Sequence, residues 1–353
     1  MAMVWDIIHF LVGDLFSVAS NSLSLSDDCI FGVYNNTTYY LAAFGDESHL
    51  YSTYNILFTR IIPVFAVCLL GLTLNVLFMV VVWRVHSLRT TTNMYLYNQA
   101  VVDSVFLLLY LMVQMVGPIA VDHIYDMSYL GQGGCTFVNV ALDVCLLTSE
   151  FNITLFTIER YVAICHPFRA LKMESTSRTL KLIFGAWVLG LAFALPMIYF
   201  YLEWYTVCLL WPPNPNGTVT DLPDTYTSCW AGVTSTGEAV LYYLLPVIVF
   251  FAVFTTIAIL NTLTGVELRR MIKRCRLNAG VSKHRTETRL VIMLAVTAAV
   301  FFICLFPYHL ELIFNFGIAV TDGAERNASY AWTEICRWLP IVNSSINPII
   351  YGY

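Results

Sequence analysis

Seven stretches of this 353-residue chain, each of about 20 residues or more, are almost empty of charge, and they leave few folds open. Ile61–Trp83, Leu182–Leu202, Ala239–Val266 and Leu290–Leu310 contain no Asp, Glu, Lys or Arg. Met94–Val121 holds one acid, Asp103, and Thr136–Ile158 holds two, Asp143 and Glu150. Ala331–Tyr353 carries Glu334 and Arg337 near its start and is uncharged from Trp338 onward. Each stretch matches the length a helix needs to cross the hydrocarbon of a bilayer. The expected fold class is an all-α membrane protein, a bundle of seven transmembrane helices.

The distribution of cations sets the orientation. Of the 18 Lys and Arg residues, fifteen fall in or beside the three loops that lie on one side when the first span runs inward. Eight of them, Arg269 to Arg289, cluster around the third of those loops. Only Arg60, Arg326 and Arg337 are left for the other side. Cytoplasmic loops hold the excess of Lys and Arg, so the N-terminus is expected outside the cell and the protein in the plasma membrane. Composition agrees: at 58% hydrophobic and 12% charged the chain is no ordinary soluble domain. A net charge of −5 with no basic tail excludes a nucleic-acid partner. The ten cysteines are too few for a disulfide scaffold, and several sit inside apolar runs as small hydrophobes.

Residues 1–54 read as an extracellular N-terminal segment and residues 55–353 as the membrane domain. N-glycosylation sequons place Asn35, Asn36, Asn216 and Asn327 on the side already assigned outside. After the fourth span, Pro212-Pro213-Asn214-Pro215-Asn216-Gly217 reads as the turn of a short β-hairpin between Tyr205–Trp211 and Tyr226–Trp230. That hairpin lies in the second extracellular loop. Asn75 and Asp103 are strongly polar at membrane depth, where such groups are costly and are functional candidates by default. The cysteines on the outer side are Cys29, Cys135, Cys208, Cys229 and Cys336.

Two motifs carry a family resemblance. Glu159-Arg160-Tyr161, followed by Cys165-His166-Pro167-Phe168, resembles the inner end of the third helix in the rhodopsin-like (class A) G-protein-coupled receptors. Asn347-Pro348-Ile349-Ile350-Tyr351 is similar to the same family's seventh-helix motif. Trp187, Pro196, Pro246, Pro307 and Pro348 stand where the family carries its helix marks. The resemblance implies a disulfide from Cys135 to Cys229. It leaves Cys29, Cys208 and Cys336, among which one further bridge, such as Cys29 to Cys336, can form. It also implies a sodium pocket of Asp103, Ser149, Asn343, Ser344 and Asn347, the alternative being a polar interhelical network without an ion.

The sequence departs from the family in four places. Leu305 replaces the usual tryptophan of the sixth helix, and Phe254 a tyrosine of the fifth. Glu150 replaces an isoleucine in the connector with Pro246 and Phe301, as a hydrogen-bonded filler or as a switching residue. The chain ends two residues after Tyr351, which reads as a trimmed chain or a gene fragment. The missing parts are the eighth helix and the tail through which arrestin and receptor kinases would bind.

Sixteen acids against three arginines on the outer side favour a basic or amidated peptide ligand, since a field of one sign attracts the other. The family's amine-pairing aspartate falls on Leu142, whereas Asp143 resembles the ghrelin, neuromedin and thyrotropin-releasing-hormone receptors. Expected ligand contacts are Gln114, Asn139, Asp143, Glu238, Tyr308, Glu311, Arg337 and Trp338. The resemblance further implies that Arg160 pairs with Glu159 and Glu287 at rest and meets the G protein, together with Pro167 and Phe168, when the sixth helix swings about Pro307. Tyr161, Leu305, Asn347, Pro348 and Tyr351 complete that switch. The expected function is a cell-surface receptor that binds a neuropeptide and activates a heterotrimeric G protein. Alternatives are a receptor for a non-peptide small molecule or lipid, or an ion-conducting or transport protein, since intramembrane acids can mark an ion path. No nucleophile–base or metal-binding constellation points to an enzyme.

Overall fold

The computed structural model describes residues 33–34, 37–38, 41–43, 61–120, 128–173, 175–201, 204–210, 225–229, 235–275, 281–320 and 330–351. Seven long helices lie among them: α1 Ile62–Arg84, α2 Thr91–Ala120, α3 Gly131–Cys165, α4 Thr176–Ala194, α5 Leu245–Cys275, α6 Val281–Val320 and α7 Tyr330–Tyr351. Among the described residues six regions of helix are long and apolar enough to cross a membrane, in α1 to α4, in α5 with the turns that lead into it, and in α6. In α7, Asn343, Ser344, Ser345 and Asn347 are buried inside the bundle. The chain turns that face inward, so a lower mean hydropathy costs the helix no contact with lipid.

Helix ends overrun the apolar spans because a helix does not stop at the membrane edge. The 40 residues of α6 extend, at about 1.5 Å per residue, far past the hydrocarbon thickness. In the fourth span Pro196 separates α4 from a short helix, Met197–Tyr201, so one expected span is two elements. A short helix, Thr236–Ala239, leads into the fifth span, followed by a π-helical turn, Val240–Leu244, that ends two residues before Pro246. Pro246 cannot donate a backbone hydrogen bond, and the widened turn precedes the place where a regular ladder would break.

Helix α3 is the central element and packs on α2, α4 and α5. The ring closes through α5–α6, α6–α7, α7–α1 and α1–α2 contacts. Two apolar clusters hold it. Val64, Cys68, Val102, Phe106, Leu107, Cys145 and Ile341 join α1, α2, α3 and α7. Ile153, Phe250, Val253, Ile257, Ala298, Phe301 and Leu305 join α3, α5 and α6. The outward faces stay apolar and exposed, as at Leu70, Leu77 and Trp83 of α1. Only 22% of the most apolar window of α1 is buried, so this surface is suited to lipid rather than to water.

Among the described residues five short strands lie outside the helices: β1 Val33–Tyr34, β2 Thr37–Thr38, β3 Leu41–Ala43, β4 Trp204–Leu210 and β5 Thr225–Cys229. Antiparallel β4 and β5, with Trp204 opposite Cys229, form the expected hairpin, each strand starting and ending one residue earlier than read from sequence. Unforeseen is β3, which adds to β4 in parallel with Leu41 opposite Cys208. The four sequon asparagines lie outside the described residues.

Candidate functional site

Two regions of the bundle hold the residues singled out by sequence: a cavity in one half and a polar cluster at mid-depth, with an arginine below them. The cavity, of about 60 Å³, lies between α3, α4, α5 and α6 and includes Met197 of the short helix. Asp143, Leu146, Leu147 and Glu150 line it from α3, Tyr242, Pro246 and Val249 from the fifth span, and Leu305, Tyr308 and His309 from α6. Asp143 and Glu150 are two helical turns apart and therefore share a face of α3. Glu150 is buried, and its Oε2 has no hydrogen-bond partner among the described residues.

Aromatic rings run from the cavity towards the opposite end of the bundle. His309 stacks on Phe250 with centroids 3.9 Å apart, and its Nδ1 lies 2.9 Å from the carbonyl oxygen of Leu305. Phe250 also packs against Phe301 and Phe302, and Phe254 stacks on Phe302 at 4.0 Å. Leu305 is buried in this cluster, so the tryptophan position is filled by a smaller side chain with rings crowded around it.

Several expected ligand contacts sit elsewhere. Trp338 packs with the apolar cluster of α1, α2, α3 and α7 and does not line the cavity. Glu238 forms a capping box with Ser235, accepting from its backbone N–H at 3.2 Å while Ser235 Oγ accepts from the Glu238 N–H at 3.3 Å. Asn139 reaches Cys135 Sγ at 3.9 Å, and Glu311 is buried but is not among the residues that line the cavity. The side chains of Gln114, Arg337 and Glu287 lie outside the described residues. Sequence reasoning missed His309, Phe250 and Tyr242, whose ring chemistry looks like ordinary packing until the helices are rotated into place.

At mid-bundle the two oxygens of Asp103 accept hydrogen bonds from Gln99 Nε2 at 3.1 Å and Asn347 Nδ2 at 2.8 Å. Ser149 Oγ lies 2.6 Å from the same Gln99 nitrogen. Asn75 Nδ2 donates to the carbonyl oxygens of Gly71 and Ser344, both at 2.9 Å, and ties α1 to α7. Asn343 and Ser344 are buried beside this cluster. Gln99 and Asn152, absent from the expected set, occupy its centre.

At the other end, Arg160 pairs with Glu159 at 3.2 Å, and a second contact runs from the same guanidinium nitrogen to Thr92 Oγ1 of α2. Arg160 Nε has no partner among the described residues. Tyr161 meets His166 edge-on, and Tyr351 packs against Phe78. Pro167 begins a short helix, Pro167–Met173, on which Phe168 is 84% exposed. Cys135 is buried and disulfide-bonded, and β5, which ends in Cys229, packs against α3. The Cys336 thiol lies 3.4 Å from the carbonyl oxygen of Pro307, and Cys29, with which a bridge was suggested, lies outside the described residues.

Against this geometry, residues 74–351 match the family model described as 7 transmembrane receptor (rhodopsin family). The chain is similar to neuromedin-U receptor 2 of Rattus norvegicus, at 31% identity over 293 residues, covering 80% of this chain and 69% of the relative. The same receptor of Mus musculus is 31% identical over 298 residues, covering 82% and 69%. The thyrotropin-releasing hormone receptor of Mus musculus is 28% identical over 313 residues, covering 83% of this chain and 75% of that one.

Proposed function

The chain belongs to the rhodopsin family of seven-transmembrane receptors, and from that premise we propose that it binds an extracellular neuropeptide carrying a basic or amidated group and activates a heterotrimeric G protein. As a member of that family it is a multi-pass membrane receptor and not an enzyme. The observation that carries the ligand class is the pair of acids, Asp143 and Glu150, on one face of α3 in the same cavity. A cation or an amide N–H meets oxygen acceptors there, with Tyr308 and His309 opposite on α6. Charge-assisted hydrogen bonds are the strong ones, and a buried site strengthens them further. The relatives, a neuromedin-U receptor and a thyrotropin-releasing hormone receptor, point the same way. A cavity of about 60 Å³ admits one side-chain end or terminal amide rather than a whole peptide. The remainder of the ligand lies over the acid-rich outer surface.

The N-terminus is outside, the four sequon asparagines carry glycans, and Cys135 bonds Cys229 to hold the hairpin over the bundle. Ligand binding shifts a population between two arrangements. Entry into the cavity moves the rings packed around Leu305 and favours an outward swing of α6 about Pro307. Arg160, held at rest by Glu159 and Thr92, is then released to the G protein, while Phe168 docks beside it. Arrestin and receptor kinases act on the same cytoplasmic side as the G protein.

A peptide library applied to cells expressing the chain, read by calcium and cyclic nucleotide, tests the reading. The expected result is a response to basic or amidated peptides that the double replacement Asp143→Asn with Glu150→Gln removes. A response confined to lipids or neutral small molecules, or ligand-driven ion flux without nucleotide exchange, refutes it.

A further inference from the structure

The polar cluster at Asp103 has a fixed direction, set by one group that can only donate. Trp187 Nε1–H lies 3.0 Å from Asn98 Oδ1. Indole has no acceptor, so this contact settles which end of the Asn98 amide is oxygen. Asn98 Nδ2 then donates to Asn152 Oδ1 at 3.1 Å. Asn152 Nδ2 in turn donates to Gln99 Oε1 and to the Tyr95 carbonyl, both at 2.9 Å. The end of Gln99 that faces Asp103 and Ser149 is therefore its nitrogen, at 3.1 and 2.6 Å. Turning any one amide over would set N–H against N–H and oxygen against oxygen. All of these polar side chains except that of the half-buried Trp187 are at most 8% exposed, so water cannot repair such a mismatch.

This arrangement bears on the sodium ion expected at Asp103, Ser149, Asn343, Ser344 and Asn347. A bound cation needs oxygen lone pairs converging on one point. Between Asp103 and Ser149 there stands instead an amide N–H, whose partial positive charge repels a cation. The second carboxylate oxygen is taken by the Asn347 amide N–H at 2.8 Å. The residues present do not fit the ion.

We infer that Gln99 takes the place of the cation, so that Asp103 is held by an amide relay anchored on Trp187 of α4 and the resting receptor is indifferent to sodium. The relay joins α2, α3 and α4 side by side, and Asn347 extends it to α7. An ion that can exchange with solvent is replaced by a side chain that cannot leave.

The test uses the purified full chain in lipid nanodiscs and sodium alone, and it needs no peptide. Thermal unfolding is followed with a thiol-reactive fluorophore, since Cys68, Cys145 and Cys304 are buried and react on unfolding. Midpoints are compared in sodium chloride and in choline chloride of equal concentration. The unaltered chain is expected to unfold within about 1 °C in the two salts, because an ion that does not bind the native state adds no stability. Gln99→Leu removes the intervening N–H, and its midpoint is expected to rise by roughly 2 °C or more in sodium. Gln99→Met serves the same purpose should the leucine variant not fold. A sodium-dependent rise in the unaltered chain overturns the inference. Folded Gln99 variants that stay flat overturn it equally, because some other feature would then exclude the ion.

Discussion

Asp143 and Glu150 show how a residue's role depends on where its helix is turned. Sequence singled out both, but assigned only Asp143 to the ligand and set Glu150 among the switching residues. The cavity puts them together. Asp143→Asn keeps the shape of the side chain and removes a charged acceptor, worth about 1.5–3 kcal/mol in a charge-assisted bond, or roughly 10- to 100-fold in affinity. Radioligand binding with the first active basic peptide checks this, and an unchanged affinity would remove Asp143 from the contact set. Arg160 makes the opposite prediction. Its contacts are with Glu159 and Thr92, away from the cavity. Arg160→Ala is therefore expected to abolish nucleotide exchange while peptide binding survives, and persistent exchange would show that the guanidinium is not the coupling group.

Helix contacts turn on small residues that no motif announces. Gly190 of α4 lies against α3 so closely that an added Cβ would meet Thr148 Oγ1 and stand 3.2 Å from the carbonyl oxygen of Val144. Both the Thr148 side chain and the α3 backbone would have to give, so Gly190→Ala is expected to press α4 away from α3. Overpacking of this kind costs about 1–3 kcal/mol. A lowered unfolding midpoint and reduced surface expression are the expected readouts, whereas Gly185→Ala, with open space around it, serves as the silent control. Both glycines read alike in sequence; only the neighbour across the interface separates them. The π-helical turn before Pro246 is similar in kind, since the proline was visible and the widened turn it accompanies was not.

The bundle as a whole rests on topology. With fifteen of 18 cations on one side, the N-terminus is predicted to face out. An epitope placed at the N-terminus should bind antibody on intact cells, and glycosidase treatment should shorten the protein's apparent size. Staining that requires permeabilised cells would reverse the orientation. The same topology assigns the acid-rich segments to the outer side and Phe168, on the short helix that follows α3, to the inner side with Arg160. Replacing Phe168 with alanine should then weaken G-protein coupling, measured as agonist-stimulated nucleotide exchange, without changing peptide affinity, because the ring is 84% exposed and supports no core contact.

The number of crossings, their order and the two end motifs were legible in the sequence, because hydrocarbon selects apolar residues segment by segment and needs no knowledge of the neighbours. The cavity floor and the amide relay were not. Gln99 reads as one more polar residue beside Asp103, and its meaning comes from Ser149, 50 positions away, and from Asn152, 53 positions away. Hydrogen bonds between helices depend on rotation and depth to within an ångström, and those are settled only when all seven helices have packed.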